Sequence, residues 1–203
     1  MISEVEVTDR MELITEIRQN GTNMRGGSYV NNANKPIATM SADIFNFRQE
    51  NDVEIMRGDM ARILYHHTQN DVEYIFGDSI SSIEQDDDGV YVTFEQSDPR
   101  TFDLVVAADG LHSNVRNLTF GDESQFTQHL GCYAAIFTIP NYLDLNQWEL
   151  YFSAPGKSVS IYSTKLESEA KVFFAFKSPL LSFDHRNKDQ QKKILADAFA
   201  GDG

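Results

Sequence analysis

The chain has 203 residues, 41% of them apolar and 24% charged, enough for one large or two small domains with their own cores. A formal net charge of −14 argues against nucleic acid and anionic membrane surfaces as partners, because both call for basic patches. No run approaches the roughly 20 apolar residues of a membrane span, the first residues carry no signal-peptide pattern, and a single cysteine excludes an internal disulfide and suits the cytoplasm.

In chain order, Thr8 or Asp9 is positioned to cap a short helix with Met11, Ile14 and Ile17 inward, closed at Asn20-Gly21. Thr22 to Val30 and Ile37 to Met40 read as two strands joined by the turn-rich Asn31 to Pro36. Val53 to Met56 reads as a short strand ending at Arg57. Asp59 is then a candidate N-cap for a helix that puts Met60, Ile63, Leu64 and His67 on one face. Val72 to Phe76 reads as a strand, followed by Gly77-Asp78 and by Ser79 to Glu84. Asp86-Asp87-Asp88-Gly89 makes a turn into Val90 to Phe94, which alternates like a hairpin strand.

After the break at Asp98-Pro99, the apolar run Leu104 to Ala108 reads as a strand buried on both faces, as in a parallel sheet. It ends at Asp109-Gly110, a sharp turn in which Gly110 can take a positive φ. Ser113 is placed to cap the helical turn that carries Arg116. A carboxylate at the carboxyl end of a strand lies where open α/β sheets bind ligands. The plain alternative is a structural crossover that happens to carry Asp-Gly.

Four aromatic-rich, alternating segments follow: Tyr133 to Pro140, Gln147 to Phe152, Ser158 to Thr164 and Lys171 to Lys177. They predict an antiparallel sheet with one buried face. Asp189 to Ala200 predicts a helix packed on that sheet. Cys132 reads as a buried small hydrophobe. The histidines have no partners at metal-site spacing, so no metal is expected, and no Gly-x-Ser-x-Gly elbow is present.

The pattern Asp109-Gly110-x-x-Ser113-x-x-Arg116 after an apolar strand resembles the second nucleotide motif of the FAD-dependent aromatic-hydroxylase-type monooxygenases. The upstream strand, Arg57 and the helix after it resemble that family's Arg-bearing segment. The resemblance runs from about Ser3 to about Gly201. It implies an α/β (mixed α+β) fold, with part of a p-hydroxybenzoate-hydroxylase-type FAD-binding domain and an antiparallel-sheet substrate domain. Residues 1–50 and 119–203 then belong to the substrate domain and 51–118 to the FAD domain.

The same resemblance assigns Arg57, Asp109 and Gly110 to FAD, with Arg116 bracing the motif. The family's sheet roofs the flavin ring, and one of its faces lines the substrate pocket. Phe137, Trp148, Tyr151, Phe152, Tyr162, Phe174 and Phe176 are candidates for that face, or for core. NAD(P)H would be co-substrate, and a small planar or aromatic molecule would be hydroxylated with oxygen from O2. No residue is assigned to proton transfer.

The family's opening Gly-x-Gly-x-x-Gly unit is not found here, and Gly201-Asp202-Gly203 lacks the helix that follows the family's later Gly-Asp motif. The chain therefore reads as an internal fragment of such an enzyme. It would meet a complementing chain, or associate with itself through an exposed sheet edge. The other reading is a non-catalytic remnant that binds a small molecule or protein without flavin.

Overall fold

The computed structural model describes residues 4–45 and 52–201. They fall into two compact units, one of residues 1–68 with 131–203 and one of residues 69–130. The sequence reading placed its divisions after residues 50 and 118 instead. Helix Arg57–Thr68 goes with the larger unit because its Ile63 closes a small core with Leu13 and Ile17, all three at most 2% exposed.

The larger unit starts with two short helices, α1 (Glu4–Arg10) and α2 (Ile14–Gln19), rather than the single expected one. Glu12 at φ 62 breaks the helix between them. Met11 is left exposed and Leu13 takes the buried place. Strands β1 (Gly26–Val30) and β2 (Pro36–Ser41) form the expected hairpin. A short helix α3 (Ala42–Phe45) follows, and then α4 (Arg57–Thr68).

The expected strand Val53 to Met56 does not form. The segment is irregular; Glu54 O accepts from Thr22 N at 2.8 Å while Val53 and Ile55 pack on the small core. Asp59 is not the N-cap of α4. It lies inside the first turn and pairs with Arg62 at 2.9 Å.

The smaller unit holds a three-stranded antiparallel sheet: β3 (Ile80–Asp86), β4 (Gly89–Phe94) and β5 (Arg100–Phe102), followed by α5 (Asn114–Phe120). The Asp87-Asp88 turn joins β3 to β4 as expected, with Gly89 at φ 144. Two expected strands are not formed. Val72 to Phe76 has no ladder, and Arg100 holds its Glu73 bidentately at 2.6 and 2.9 Å. Leu104 to Ala108 also has no ladder among the described residues, and Leu104 and Val106 are 75% and 78% exposed. A strand is stabilised by its neighbour's N–H and C=O groups and by a covering face. This run has neither.

The larger unit carries a six-stranded sheet in the order β2-β1-β7-β8-β9-β6, with β6 Cys132–Pro140, β7 Trp148–Ala154, β8 Lys157–Tyr162 and β9 Glu169–Lys177. The four aromatic-rich strands are antiparallel to one another as expected, whereas β1 joins β7 in parallel. Cys132 is exposed rather than buried, because it starts the edge strand β6. Helix α6 (Lys188–Ala198) is capped by Asn187, whose Oδ1 accepts from the backbone of Asp189 and Gln190.

Register sorts the sheet's side chains. Leu150, Ile161, Val172 and Phe137 lie opposite one another on one face; Phe152, Val159 and Phe174 continue it. The residue after α6, Phe199, packs edge-on on this face against Phe174 at 4.7 Å and Phe176 at 6.1 Å, covering its β9 end. The opposite face carries Tyr29, Glu149, Tyr151, Ser160, Tyr162, Lys171 and Phe173, with Ser160 buried among them.

Candidate functional site

In the smaller unit the Asp109 turn is held by its own neighbours. Gly110 has φ +85, and a Cβ there would meet nothing within 4 Å. Ser113 is the expected N-cap of α5: its hydroxyl accepts from Arg116 N at 3.0 Å and donates to Asp109 Oδ1 at 2.5 Å. Asp109 Oδ2 accepts from Val115 N at 3.0 Å. The Ser113 hydroxyl first, and the Val115 amide second, hold the Asp109 carboxyl below the usual carboxylate range. It is an anion aligned with the start of a helix.

Arg116 braces the turn. It donates to Leu111 O at 2.6 Å, lies 3.8 Å from Glu123 and stands 5.7 Å over the Phe126 ring. His112 meets the other Glu123 oxygen at 2.8 Å. The turn is tied back to the sheet where Asn114 Nδ2 donates to Ile80 O at 2.6 Å.

A cleft of about 350 Å³ opens beside this turn, lined by Asp109, Ala107, Ala108, Asn114, Asp78 and Phe94 among others. Asp78 carries the same kind of anchoring. Its carboxyl is held low, chiefly by the Ser97 hydroxyl, and it accepts from the backbone N of Ser79, Gln96 and Ser97 at 2.8 to 3.0 Å. Sequence reasoning assigned no contact at Asp78. Its only signal was the Gly77-Asp78 pair before a strand.

Arg57 belongs to the other unit, at the first position of α4. Its side chain is exposed and has no partner among the described residues. The structure therefore brings Asp109 and Gly110 together in one turn and places Arg57 in a separate unit.

The residues present fit part of a dinucleotide cofactor. The open side of Gly110, the carboxylate of Asp109 and the adjoining cleft suit hydroxyl and backbone contacts with a sugar–phosphate chain. A free guanidinium at Arg57 suits phosphate or carbonyl oxygens. Among the described residues no group of three His, Cys, Asp or Glu side chains could hold a metal, and no helix is long and apolar enough to cross a membrane.

The seven aromatic candidates divide between the two sheet faces. Phe137, Trp148, Phe152, Phe174 and Phe176 lie on the face that meets Phe199, with Trp148 Nε1 donating to Ser28 Oγ at 3.2 Å. Phe137, Phe152 and Phe174 line an apolar cleft of about 310 Å³ there, with Val30, Tyr142 and Leu150. Tyr151 and Tyr162 are on the opposite face. Sequence reasoning missed Glu149 beside them. Burial lifts its carboxyl above the usual range, opposed by a hydrogen bond from Ser160. Burial, and then the Glu149 charge, raise the Tyr162 phenol.

No family model matches the chain. An uncharacterised protein of Mycobacterium tuberculosis is 40% identical over 201 residues, covering 98% of this chain and 54% of that relative. A flavin-dependent monooxygenase of Legionella longbeachae is 38% identical over 193 residues, covering 95% and 49%. Among solved structures, the tetracycline destructase Tet(51) superposes with a TM-score of 0.84 at 31% identity, covering 98% of this chain and 50% of its own. The chain thus spans about half the length of the curated relatives it matches. These likenesses support a flavin monooxygenase family and an FAD-binding type of fold.

Proposed function

We propose that this chain, similar over nearly its whole length to one half of the flavin-dependent monooxygenases, serves a monooxygenase that uses FAD and NAD(P)H to hydroxylate a small planar or aromatic molecule. The observation that carries the reading is the Asp109-Gly110-Ser113 turn, preformed at the end of an apolar run in a chain 38% identical to such an enzyme. FAD supplies redox chemistry with the nicotinamide and O2 when bound. The residues of this chain do the holding. Asp109 and the open backbone at Gly110 receive the sugar–phosphate portion. Arg57 neutralises phosphate charge or binds a ring carbonyl. Ser113 and Arg116 keep the Asp109 turn in shape.

The exposed Leu104 to Ala108 run favours one further element. An apolar segment of this kind is covered in a working protein. The flavin site is completed by polypeptide that pairs with this run, from a complementing chain or a second copy. The relatives' names suggest tetracyclines as a substrate class to try first. The protein works in the cytoplasm, consistent with its one exposed thiol.

The test is a visible spectrum of the purified chain after incubation with excess FAD and desalting. Retained bands at about 370 and 450 nm, weakened in Asp109→Asn and in Arg57→Ala, are expected. NADPH oxidation by the flavin-loaded chain would then be assayed. A colourless wild-type chain would sink the proposal for this polypeptide and favour the other reading, a binding module without flavin.

A further inference from the structure

The six-stranded sheet ends in two edge strands, β2 and β6, and they are finished differently. β2 begins at Pro36, and its pairing with β1 slips between Tyr29 and Val30. Proline and irregularities of this kind blunt an edge against further pairing. β6 pairs with β9 in unbroken register over its 9 residues, Cys132 to Pro140, and no side chain in that span is charged.

Three hydrogen bonds fix which way the β6 backbone points. Gly131 O accepts from Ser178 N at 3.1 Å, and Asn141 N donates to Ser168 O at 3.1 Å, so both groups turn toward β9. Lys177 N donates to Gly156 O at 2.8 Å on the β8 side, which leaves the even-numbered residues of β9 to bond with β6. Among the described residues every peptide is trans, so each C=O points opposite to the next N–H. Tyr133, Ala135, Phe137 and Ile139 therefore bond to β9. Cys132, Ala134, Ile136 and Thr138 turn their N–H and C=O groups out along the free edge. Pro140 also lies outward, where its missing N–H costs no ladder bond. These outward backbone groups have no partner among the described residues, and Cys132, Ala134, Ile136 and Thr138 are all exposed.

We infer that β6 is a docking edge for a second copy of this chain, the two β6 strands lying antiparallel about a twofold axis at Ala135 so that one sheet runs through both copies. Twofold pairing lets the same edge serve both partners. An axis at Ala135 sets Cys132 opposite Thr138 of the second copy and Ala134 opposite its Ile136, so all four outward residues use both backbone groups. An axis at Ile136 would face Cys132 with Pro140, which has no N–H to give. An axis at Ala134 would set Thr138 against Leu130, outside the strand. The side chains agree with the first register. On one face Ala135 meets its own copy at the close, non-hydrogen-bonded position, flanked by two Tyr133–Phe137 pairs; on the other each Ile136 meets an Ala134. Ile136 and Phe137, 61% and 42% exposed, gain cover. Charge permits the approach: the chain carries −14 overall, but β6 is uncharged and β9 beside it bears Lys171 and Lys177 against Glu169.

The test is sedimentation velocity of the full chain across a concentration series, with a dimer expected to grow as concentration rises. Ala134→Pro removes an outward N–H and no bond to β9, and Ile136→Lys puts a charge at the seam. Each should weaken the dimer at least about tenfold, with thermal midpoints in dilute, monomeric solution within a few degrees of wild type. Thr138→Cys reads the register. Facing residues of a hydrogen-bonded pair lie about 5.5 Å apart at Cα, within disulfide reach, so mild oxidation should link it to Cys132 of the second copy. Wild type and the double variant Cys132→Ser, Thr138→Cys should not link, because like residues then lie roughly 20 Å apart along the seam.

A wild-type chain that stays monomeric at every concentration would overturn the inference. So would a dimer that keeps its strength in both Ala134→Pro and Ile136→Lys but loses it in Val106→Lys, which would move association to the smaller unit. Edge variants that weaken the dimer, without cross-linking in Thr138→Cys, would overturn the Ala135 axis. Flavin retention is not among these readouts, so the monooxygenase reading stands or falls separately.

Discussion

The two units contain apolar strand-like segments of comparable strength and treat them differently. In the six-stranded sheet each aromatic-rich segment has a ladder partner on at least one side, and the alternate β9 residues Phe174 and Phe176 lie against Phe199. In the smaller unit the ladder stops at Phe102, and the apolar run Leu104 to Ala108 lies largely exposed after it. Yet the turn at the end of that run is fully formed, with Ser113, Val115 and Arg116 all engaged around it. A capped turn closes on residues three to six positions away. A buried strand needs neighbours that its own sequence does not contain.

The strongest way to test that contrast is to empty the larger unit's helical core. Ile63→Ala, at a position with no exposure, should cost about 2–5 kcal/mol, read by urea unfolding. Hydrogen exchange in β3 and β4 should stay near wild type, because Ile63 belongs to the other unit. Loss of protection throughout both units would show that they fold as one.

Ser113→Ala tests the self-contained turn. Loss of the cap should cost about 1 kcal/mol, and Asp109 would lose its first hydrogen bond. The pH dependence has a definite sign. Asp109 has its folded pKa lowered, so its stabilisation is present above the unfolded value of about 3.9 and is lost as pH falls through the folded value. The gap in melting temperature between wild type and Ser113→Ala should therefore be wider at pH 7 than near pH 3, where only the loss of the cap to Arg116 N persists in full. A gap independent of pH would count against the Ser113–Asp109 bond.

Glu149→Gln should move stability the other way. A raised carboxyl pKa means that the charged form opposes folding, an effect absent below about pH 4 and growing as pH rises through the folded value. The variant should match wild type at pH 4 and melt ~2 °C higher at pH 8. A variant less stable at pH 8 would show that the carboxylate is compensated in its site.

The smallest effect on folding is expected at the exposed run. Val106→Lys should change stability by no more than about 0.5 kcal/mol, because Val106 is 78% exposed. Sedimentation should show less self-association if the run is a sticky edge. Large destabilisation would mean that the run is structured and covered in solution.

Much of the fold could be read from residues alone where contacts are local or strictly periodic. The β1–β2 hairpin, the four aromatic-rich strands, the Asp87-Asp88 turn, Gly110 and the Ser113 cap all follow from turn chemistry or from a period of two. The strands expected at Val53 to Met56, Val72 to Phe76 and Leu104 to Ala108 failed for a shared reason. Their composition suits a strand, but pairing is a property of two segments. The helix expected over Met11 to Ile17 broke at Glu12, where the backbone turns left-handed and lets Leu13 reach the core.

The candidate site was legible to the same extent. Asp109, Gly110 and Ser113 declare themselves because their geometry closes within a few residues. Glu149 did not, because a lone acidic residue in an alternating strand reads as a solvent-facing position. Only the sheet decides that it sits above buried Ser160 and beside Tyr162, across a register set by strands far apart in the chain. The parallel seat of β1 against β7 and the side on which Phe199 lies are likewise tertiary outcomes. The sequence by itself determined which residues alternate; only packing decided which of the two faces meets Phe199, because period-two patterning distinguishes two sides without saying which will meet the helix.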